Sequence, residues 1–355
     1  MSEIRLAAEV KYQHELDELA AADKDPRPPG WRLSPRAVET YLMGSDKVTP
    51  KYIGDRARIQ VAIATLASDR ALMLVGEPGT AKSWLSEHLA AAISGTSALI
   101  VQGTAGTTEE QLKYGWNYAL LISEGPTARS LVPSPVLRAM REGKLARLEE
   151  VTRTAPEVQD SLISILSEKQ IAVPELGEIV SAQRGFSVIA TANTRDRGVN
   201  EMSSALKRRF HFVTLPVVSD LEEELRIVTK REAELRSDYG VGAPAPAELG
   251  RMLVTLFQEL RAGITKDGKT KVRPPAAPLS TAEAISVLFQ AGILGEQFGG
   301  GRVGPGELAR ALVGTVAKEG EADVKVVREY CETVAKGRGG AWRELYAATK
   351  EELGG

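Results

Sequence analysis

A chain of 355 residues has room for two domains, and 43% hydrophobic with 26% charged residues is the composition of a globular protein with sizeable cores. A formal net charge of −2 gives no global electrostatic case for nucleic acid or an anionic membrane as partner. One cysteine, Cys331, excludes an internal disulfide framework, and three scattered histidines (His14, His88, His211) offer no zinc spacing.

The first residues, Met-Ser-Glu-Ile-Arg, lack the apolar segment of a signal peptide. No later stretch approaches the ~18 apolar residues of a membrane span, so the expected location is the cytoplasm. Residues 3–22 are predicted as a helix with Leu6, Val10, Leu16, Leu19 and Ala20 loosely on one face. Asp25-Pro-Arg-Pro-Pro-Gly30 breaks it. A short helix is expected from Ser34 to Leu42, with Ser34 as cap and Pro35 at its first position. These segments read as an N-terminal extension packed on a larger body. From about 50 to 217 strands and helices alternate. Candidate strands are Ala71–Val75, Ala98–Val101, Lys144–Leu148, Phe186–Ala192 and His211–Leu215. The alternation predicts an α/β fold with a mainly parallel sheet covered by helices on both faces. Residues 171–184, with Pro174 and Gly177 between apolar runs, and residues 116–122 read as hairpin excursions. Beyond Ser219 the strand signal fades. Helices are expected at Asp220–Leu235, Ala247–Ala262, Thr281–Leu294, Gly306–Lys318, Val324–Lys336 and Ala341–Glu352. Thr265–Pro275 is a basic polar loop or hairpin, of the kind usually solvated.

The most informative stretch is Leu72-Met-Leu-Val-Gly-Glu-Pro-Gly-Thr-Ala-Lys-Ser-Trp84, an apolar run entering a Gly-rich turn and then a helix. This order suits a phosphate-binding loop. In the run Gly76, Glu77, Pro78, Gly79, Thr80, Ala81, Lys82 and Ser83, backbone N–H groups within residues 77–82 would turn inward around a β-phosphate at a helix N-terminus. Lys82 would reach the β- and γ-phosphates, and the Ser83 hydroxyl would ligate Mg²⁺. The consensus has Gly before the Lys. Ala81 stands there and is read as a tolerated variant with helical φ/ψ. The plain alternative is a Gly-rich turn between an ordinary strand and helix.

Nucleotide hydrolysis also needs a metal anchor, a water positioner, a γ-phosphate sensor and a positive charge for the developing anion. Glu149 and Glu150 end the third candidate strand: the first would hold Mg²⁺ and the second would orient and polarise water. The usual pair is Asp-Glu, and the extra methylene of Glu149 moves its carboxylate by ~1.3 Å. Arg147 inside this strand is unusual, and a charged strand end is the competing reading. Asn193 ends another buried run and could sit between γ-phosphate and water, or simply start a turn. Arg208 and Arg209 precede the fifth strand and could project into a neighbouring subunit's nucleotide, or simply place cations at a helix C-terminus. Thr265-Lys-Asp-Gly268 has Gly where a guanine-reading Asp would be needed, which favours ATP.

With these motifs in order, the sequence resembles the MoxR branch of the AAA+ ATPases. The resemblance rests on Gly76–Ser83, on Glu149-Glu-Val-Thr-Arg-Thr-Ala-Pro-Glu-Val-Gln-Asp-Ser-Leu162, on Ala190-Thr-Ala-Asn193 and on Ala205–Phe210. It implies an αβα AAA+ core with a five-stranded parallel sheet over 46–217 and a helical lid over 218–355, leaving 1–45 as an uncovered helical extension. It implies ATP/ADP and Mg²⁺ as cofactors and a hexameric ring with active sites between subunits. Arg209 matches the family's Arg-Phe motif, and Tyr52-Ile53-Gly54 matches its adenine-contacting segment. Ile53, Gly54 and the run from Gly76 to Trp84 are therefore the expected nucleotide contacts. Glu150, Lys82, Asn193, Arg208 and Arg209 are the expected catalytic residues, and Ser83 and Glu149 the expected metal ligands. The family's lid arginine has no counterpart in Leu279-Ser-Thr-Ala282. Either Arg273 or another residue substitutes, or the lid senses nucleotide weakly. Similar proteins act as chaperone-like remodellers, usually with a von Willebrand factor A domain partner. The rival readings are a nucleotide-switched scaffold with little turnover and a DNA-processing AAA+ motor; near-neutral charge argues against the motor.

Overall fold

The structure is a computed structural model that describes residues 5–68, 70–193, 200–276, 279–316 and 321–353. The chain divides into two compact units, with the main boundary between Pro216 and Val217.

The first unit contains β1 (Ala71–Gly76), β2 (Ile100–Gln102), β3 (Tyr114–Trp116), β4 (Leu131–Pro133), β5 (Leu145–Glu149), β6 (Gln170–Val173), β7 (Glu178–Ser181), β8 (Ser187–Asn193) and β9 (Phe210–Thr214). Five of these form one parallel sheet in the order β2-β5-β8-β1-β9. The three inner strands β5, β8 and β1 are buried on both faces, which is why they read as near-continuous apolar runs, whereas the edge strands β2 and β9 are partly exposed. One face (Leu72, Leu74, Leu145, Ile189, Val213) packs on Ile59, Ile63, Leu85 and Leu89 from the helices Arg56–Ala67 and Lys82–Ser94. The other (Met73, Ala146, Leu148, Val188, Ala190) packs on Val136, Leu137, Met140, Leu162 and Ile165. The result is the expected αβα layering.

Residues 8–43 pack into the first layer. Leu16, Leu33, Val38, Tyr41 and Leu42 are fully buried in the same cluster as Leu72, Leu85 and Ile189. The helix Pro35–Met43 starts as expected: Ser34 Oγ accepts from the Ala37 N–H at 3.2 Å, and Pro35 needs no donor there. The helix expected over 3–22 is two helices, Ala8–Lys11 and Gln13–Ala22, which meet at the non-helical Tyr12 (φ −112°, ψ 25°). Residues 3 and 4 lie outside the described residues.

β6 and β7 form the hairpin expected around Pro174 and Gly177. The excursion near 116–122 differs from expectation. β3 and β4 pair antiparallel, but Asn117 Oδ1 caps a helix over Tyr118–Glu124, so the hairpin arms lie on either side of that helix.

The second unit is helical: Leu221–Tyr239, Ala247–Ala262, Thr281–Phe298, Pro305–Val316, Glu321–Tyr330 and Gly340–Glu352. They surround one apolar cluster that includes Leu253, Phe257, Val287, Leu308, Leu312, Tyr330 and Leu345. Lys318, the expected end of the fourth helix, lies outside the described residues. The expected helix over 324–336 widens to a π-helical turn at Cys331–Ala335. Ile264 bridges Lys271, so the basic stretch is a hairpin. Among the described residues no helix is long and apolar enough to cross a membrane.

Candidate nucleotide site

Open parallel sheets place ligands outside the carboxyl ends of their strands. Three expected site residues occupy those ends: Gly76 closes β1, Glu149 closes β5 and Asn193 closes β8. Gly76 and Asn193 are register partners. From Gly76 the loop enters the helix Lys82–Ser94 through two left-handed positions, Gly79 (φ 78°) and Ala81 (φ 63°, ψ 25°). Left-handed positions turn successive backbone N–H groups to one side, the geometry of an anion-binding nest. Ala81 is thus not helical, contrary to expectation. A Cβ in this region costs roughly 1–2 kcal/mol, which explains the usual Gly. Lys82 is 7% exposed, and its ammonium donates to the carbonyls of Gly76 (3.1 Å) and Glu77 (2.7 Å), back across the loop.

Ser83 meets Glu149 directly. Its Oγ donates to Glu149 Oε2 at 2.7 Å, and Thr191 Oγ1 of β8 donates to the same oxygen at 2.8 Å. The other oxygen, Oε1, accepts from Ser86 Oγ and from Arg147 Nη2, the latter at 2.9 Å. Glu149 is 3% exposed, and four donors satisfy its buried carboxylate. Ser83 and Glu149 offer oxygen only, the donor chemistry of a hard cation such as Mg²⁺. Among the described residues no cluster of three or more His, Cys, Asp or Glu could hold a metal. A cation here would need oxygens from a bound phosphate and water, which is how Mg²⁺ is usually held. Glu150 is left-handed (φ 51°, ψ 44°); its N–H donates to Thr191 Oγ1 at 2.9 Å, and its carboxylate pairs with Arg153 Nε at 2.6 Å.

The segment Tyr52-Ile53-Gly54 is tied to the start of the loop's helix, because the Trp84 indole N–H donates to the Lys51 carbonyl at 2.6 Å. The Lys51 ammonium is buried against Glu15 (2.5 Å) and over the Tyr12 ring (4.2 Å). Residues 12–15 thereby brace this segment.

Residues 71–210 match the AAA domain of the dynein-related subfamily, and residues 222–352 match the C-terminal domain of YehL-like AAA+ ATPases. The chain is 45% identical over 351 residues to the uncharacterized protein YehL of Escherichia coli (strain K12), covering 97% of this chain and 96% of that protein. The chain belongs to the YehL-like family of AAA+ ATPases. It is also 29% identical over 185 residues to the uncharacterized protein SH1500 of Staphylococcus haemolyticus (strain JCSC1435), covering 52% of this chain and 69% of that protein. The solved structure of NtrX from Brucella abortus in complex with ATP is similar at a TM-score of 0.51 and 14% identity, covering 88% of this chain and 70% of that chain. That likeness is one of fold.

Within this AAA+ frame, Arg208 and Arg209 stand apart from the other site residues. They follow the short helix Ser204–Lys207 and precede β9, whose Phe210 pairs with Ala71 at the start of β1. They therefore lie at the amino edge of the sheet, a strand of 6 residues away from Gly76, or roughly 16 Å. Arg209 donates to Ser167 Oγ (2.7 Å) and to the Ala205 carbonyl (2.5 Å), and Arg208 is exposed. Sequence reasoning missed three residues that hold Glu149: Ser86, Arg147 and Thr191. The available signal was Arg147 itself, a cation in a strand otherwise read as buried.

Proposed function

We propose that this chain is a MoxR-like ATPase that binds ATP with Mg²⁺ and hydrolyses it to remodel or mature a partner protein complex in the cytoplasm. The observation that carries the reading is the Ser83–Glu149 hydrogen bond, at the head of the helix begun by Lys82 and on the strand edge shared with Gly76 and Asn193. The core is residues 46–217, with Ile53, Gly54 and Gly76 to Trp84 around the nucleotide, and 218–355 is the lid. Lys82 turns its ammonium from the loop carbonyls to the β- and γ-phosphates. Ser83 and Glu149 would hold Mg²⁺, which supplies charge neutralisation at the phosphates when bound. Glu150 releases Arg153 to polarise water, and Asn193 senses the γ-phosphate. Arg208 and Arg209, remote from their own chain's loop, serve the nucleotide of the next subunit in a hexameric ring. The expected partner is a von Willebrand factor A domain protein, following the MoxR resemblance. NtrX, described in complex with ATP, lends support for the nucleotide.

The Glu150–Arg153 pair favours a second reading, a nucleotide-switched scaffold with low turnover. Glu150→Gln tests both. In mass photometry with ATP this variant is expected to reach six times the monomer mass, while its turnover falls at least about a hundredfold. Equal turnover in wild type and variant would favour the scaffold. A persistent monomer would remove the intersubunit site.

A further inference from the structure

Arg147 is 6% exposed in the middle of a five-residue strand whose every residue is buried. Alternation along β5 puts Leu145, Arg147 and Glu149 on the face toward the helix Lys82–Ser94, while Ala146 and Leu148 face the opposite apolar cluster. All three nitrogens of its guanidinium donate to that helix or its surroundings. Nε donates to Ser86 Oγ (3.0 Å), Nη1 to the Ser97 carbonyl (3.1 Å), and Nη2 to both the Ser83 carbonyl (3.1 Å) and Glu149 Oε1 (2.9 Å). The fork thus grips the main chain of the residue whose hydroxyl meets Glu149 Oε2.

We propose that Arg147 is the positioning residue that fits a glutamate to this metal site. It claims Oε1 and neutralises half the carboxylate, leaving Oε2 turned to the Ser83 hydroxyl. By holding the Ser83 carbonyl it also fixes the distance between the two oxygens a cation would share. Ser86, small and fully buried, leaves room for the guanidinium and joins both groups. Glutamate and arginine are matched in length. An aspartate at 149 would fall ~1.3 Å short of Arg147 and Ser86 and strand a buried guanidinium. The shorter acid should therefore work worse than glutamate while Arg147 is present, and better once Arg147 is replaced by an apolar residue.

This inference rests on the Mg²⁺-nucleotide reading, and a cycle of Arg147→Leu, Glu149→Asp and the double variant tests it separately. Binding of a fluorescent ATP analogue is measured in EDTA and against rising Mg²⁺, with thermal unfolding as the check on folding. Arg147→Leu is expected to raise the Mg²⁺ half-saturation about tenfold or more, the usual loss for an outer-shell partner, and Glu149→Asp, which shortens the ligand itself, at least as much. The double variant is expected to return to within about threefold of wild type. Glu149→Asp binding Mg²⁺-nucleotide as well as wild type would overturn the inference, as would a double variant no better than either single. Arg147→Lys is the conservative control, because it keeps the charge without the fork. Full recovery with Lys would mean that charge alone matters and would overturn the positioning role. Absence of any nucleotide binding by wild type would instead defeat the parent reading and the inference with it.

Discussion

Both units of this protein bury carboxylates, and they do so in different settings. In the helical unit Glu224 and Glu259 are fully buried. Glu224 is closed by Arg261, Gln258 (2.6 Å) and Thr281 (2.7 Å). Glu259 is closed by Tyr330 (2.6 Å), Arg338 (2.6 Å) and the Lys266 N–H (2.8 Å). Their partners come mostly from helix ends, with Gln258 from a helix interior and Lys266 from the hairpin, and they tie the unit together. In the α/β unit Glu149 has four donors, and one of them is the Ser83 hydroxyl in the first turn of the loop's helix, at the carboxyl end of a strand. Burial with full pairing is therefore common to all three carboxylates and does not set the candidate site residue Glu149 apart. Position on the fold does.

Lys82→Ala removes the buried cation of the loop in the α/β unit. Nucleotide affinity is expected to fall more than about a hundredfold, as for loss of a charge-assisted contact worth ~3 kcal/mol, with the melting temperature nearly unchanged; isothermal titration and calorimetry read the two. Glu259→Ala should do the reverse. It leaves Arg338 and Tyr330 facing each other without their acceptor, and breaking such a buried pair costs roughly 3–5 kcal/mol in chemical denaturation. Ala81→Gly sharpens the contrast within the loop. Relief of the left-handed Cβ should stabilise the protein by about 1 kcal/mol, less the added freedom of the unfolded chain. A destabilised variant would show that the methyl packs usefully. The smallest effect belongs to Cys331. Burial pushes its thiol up to about 11 and leaves it 3% exposed, so alkylation at pH 8 should be slow until the helical unit opens. Rapid labelling of the folded protein would show that the π-helical turn opens locally.

Much of this was legible in the sequence. Apolar runs and Gly or Pro punctuation located the five sheet strands within two residues, and Ser34-Pro35 marked its helix start. What was not legible depends on residues far apart in the chain. Arg147 and Ser86 are 61 positions apart, and only the parallel packing of β5 beside the loop's helix brings them together. Residues 1–45 read as an extension packed on a larger body; that Leu16 and Tyr41 fill the layer covering β1 depends on contacts no local pattern specifies. Lys51 looks like a surface lysine until Glu15 and Tyr12 enclose it. The backbone hand of Ala81 is fixed by the loop's turn rather than by residue preference, so local propensity pointed the wrong way.

Arg147 also bears on how the chain finds its fold. A central parallel strand that is apolar throughout carries little information about its alignment, since neighbouring alignments bury similar surface. β5 is pinned between β2, where Ile100 faces Arg147, and β8, where Ile189 does. A shift of one position would rotate the guanidinium into the layer of Val136, Met140 and Ile165 and bury an unpaired charge. The same side chain that orients a carboxylate in the finished molecule thereby rejects misaligned sheets during folding.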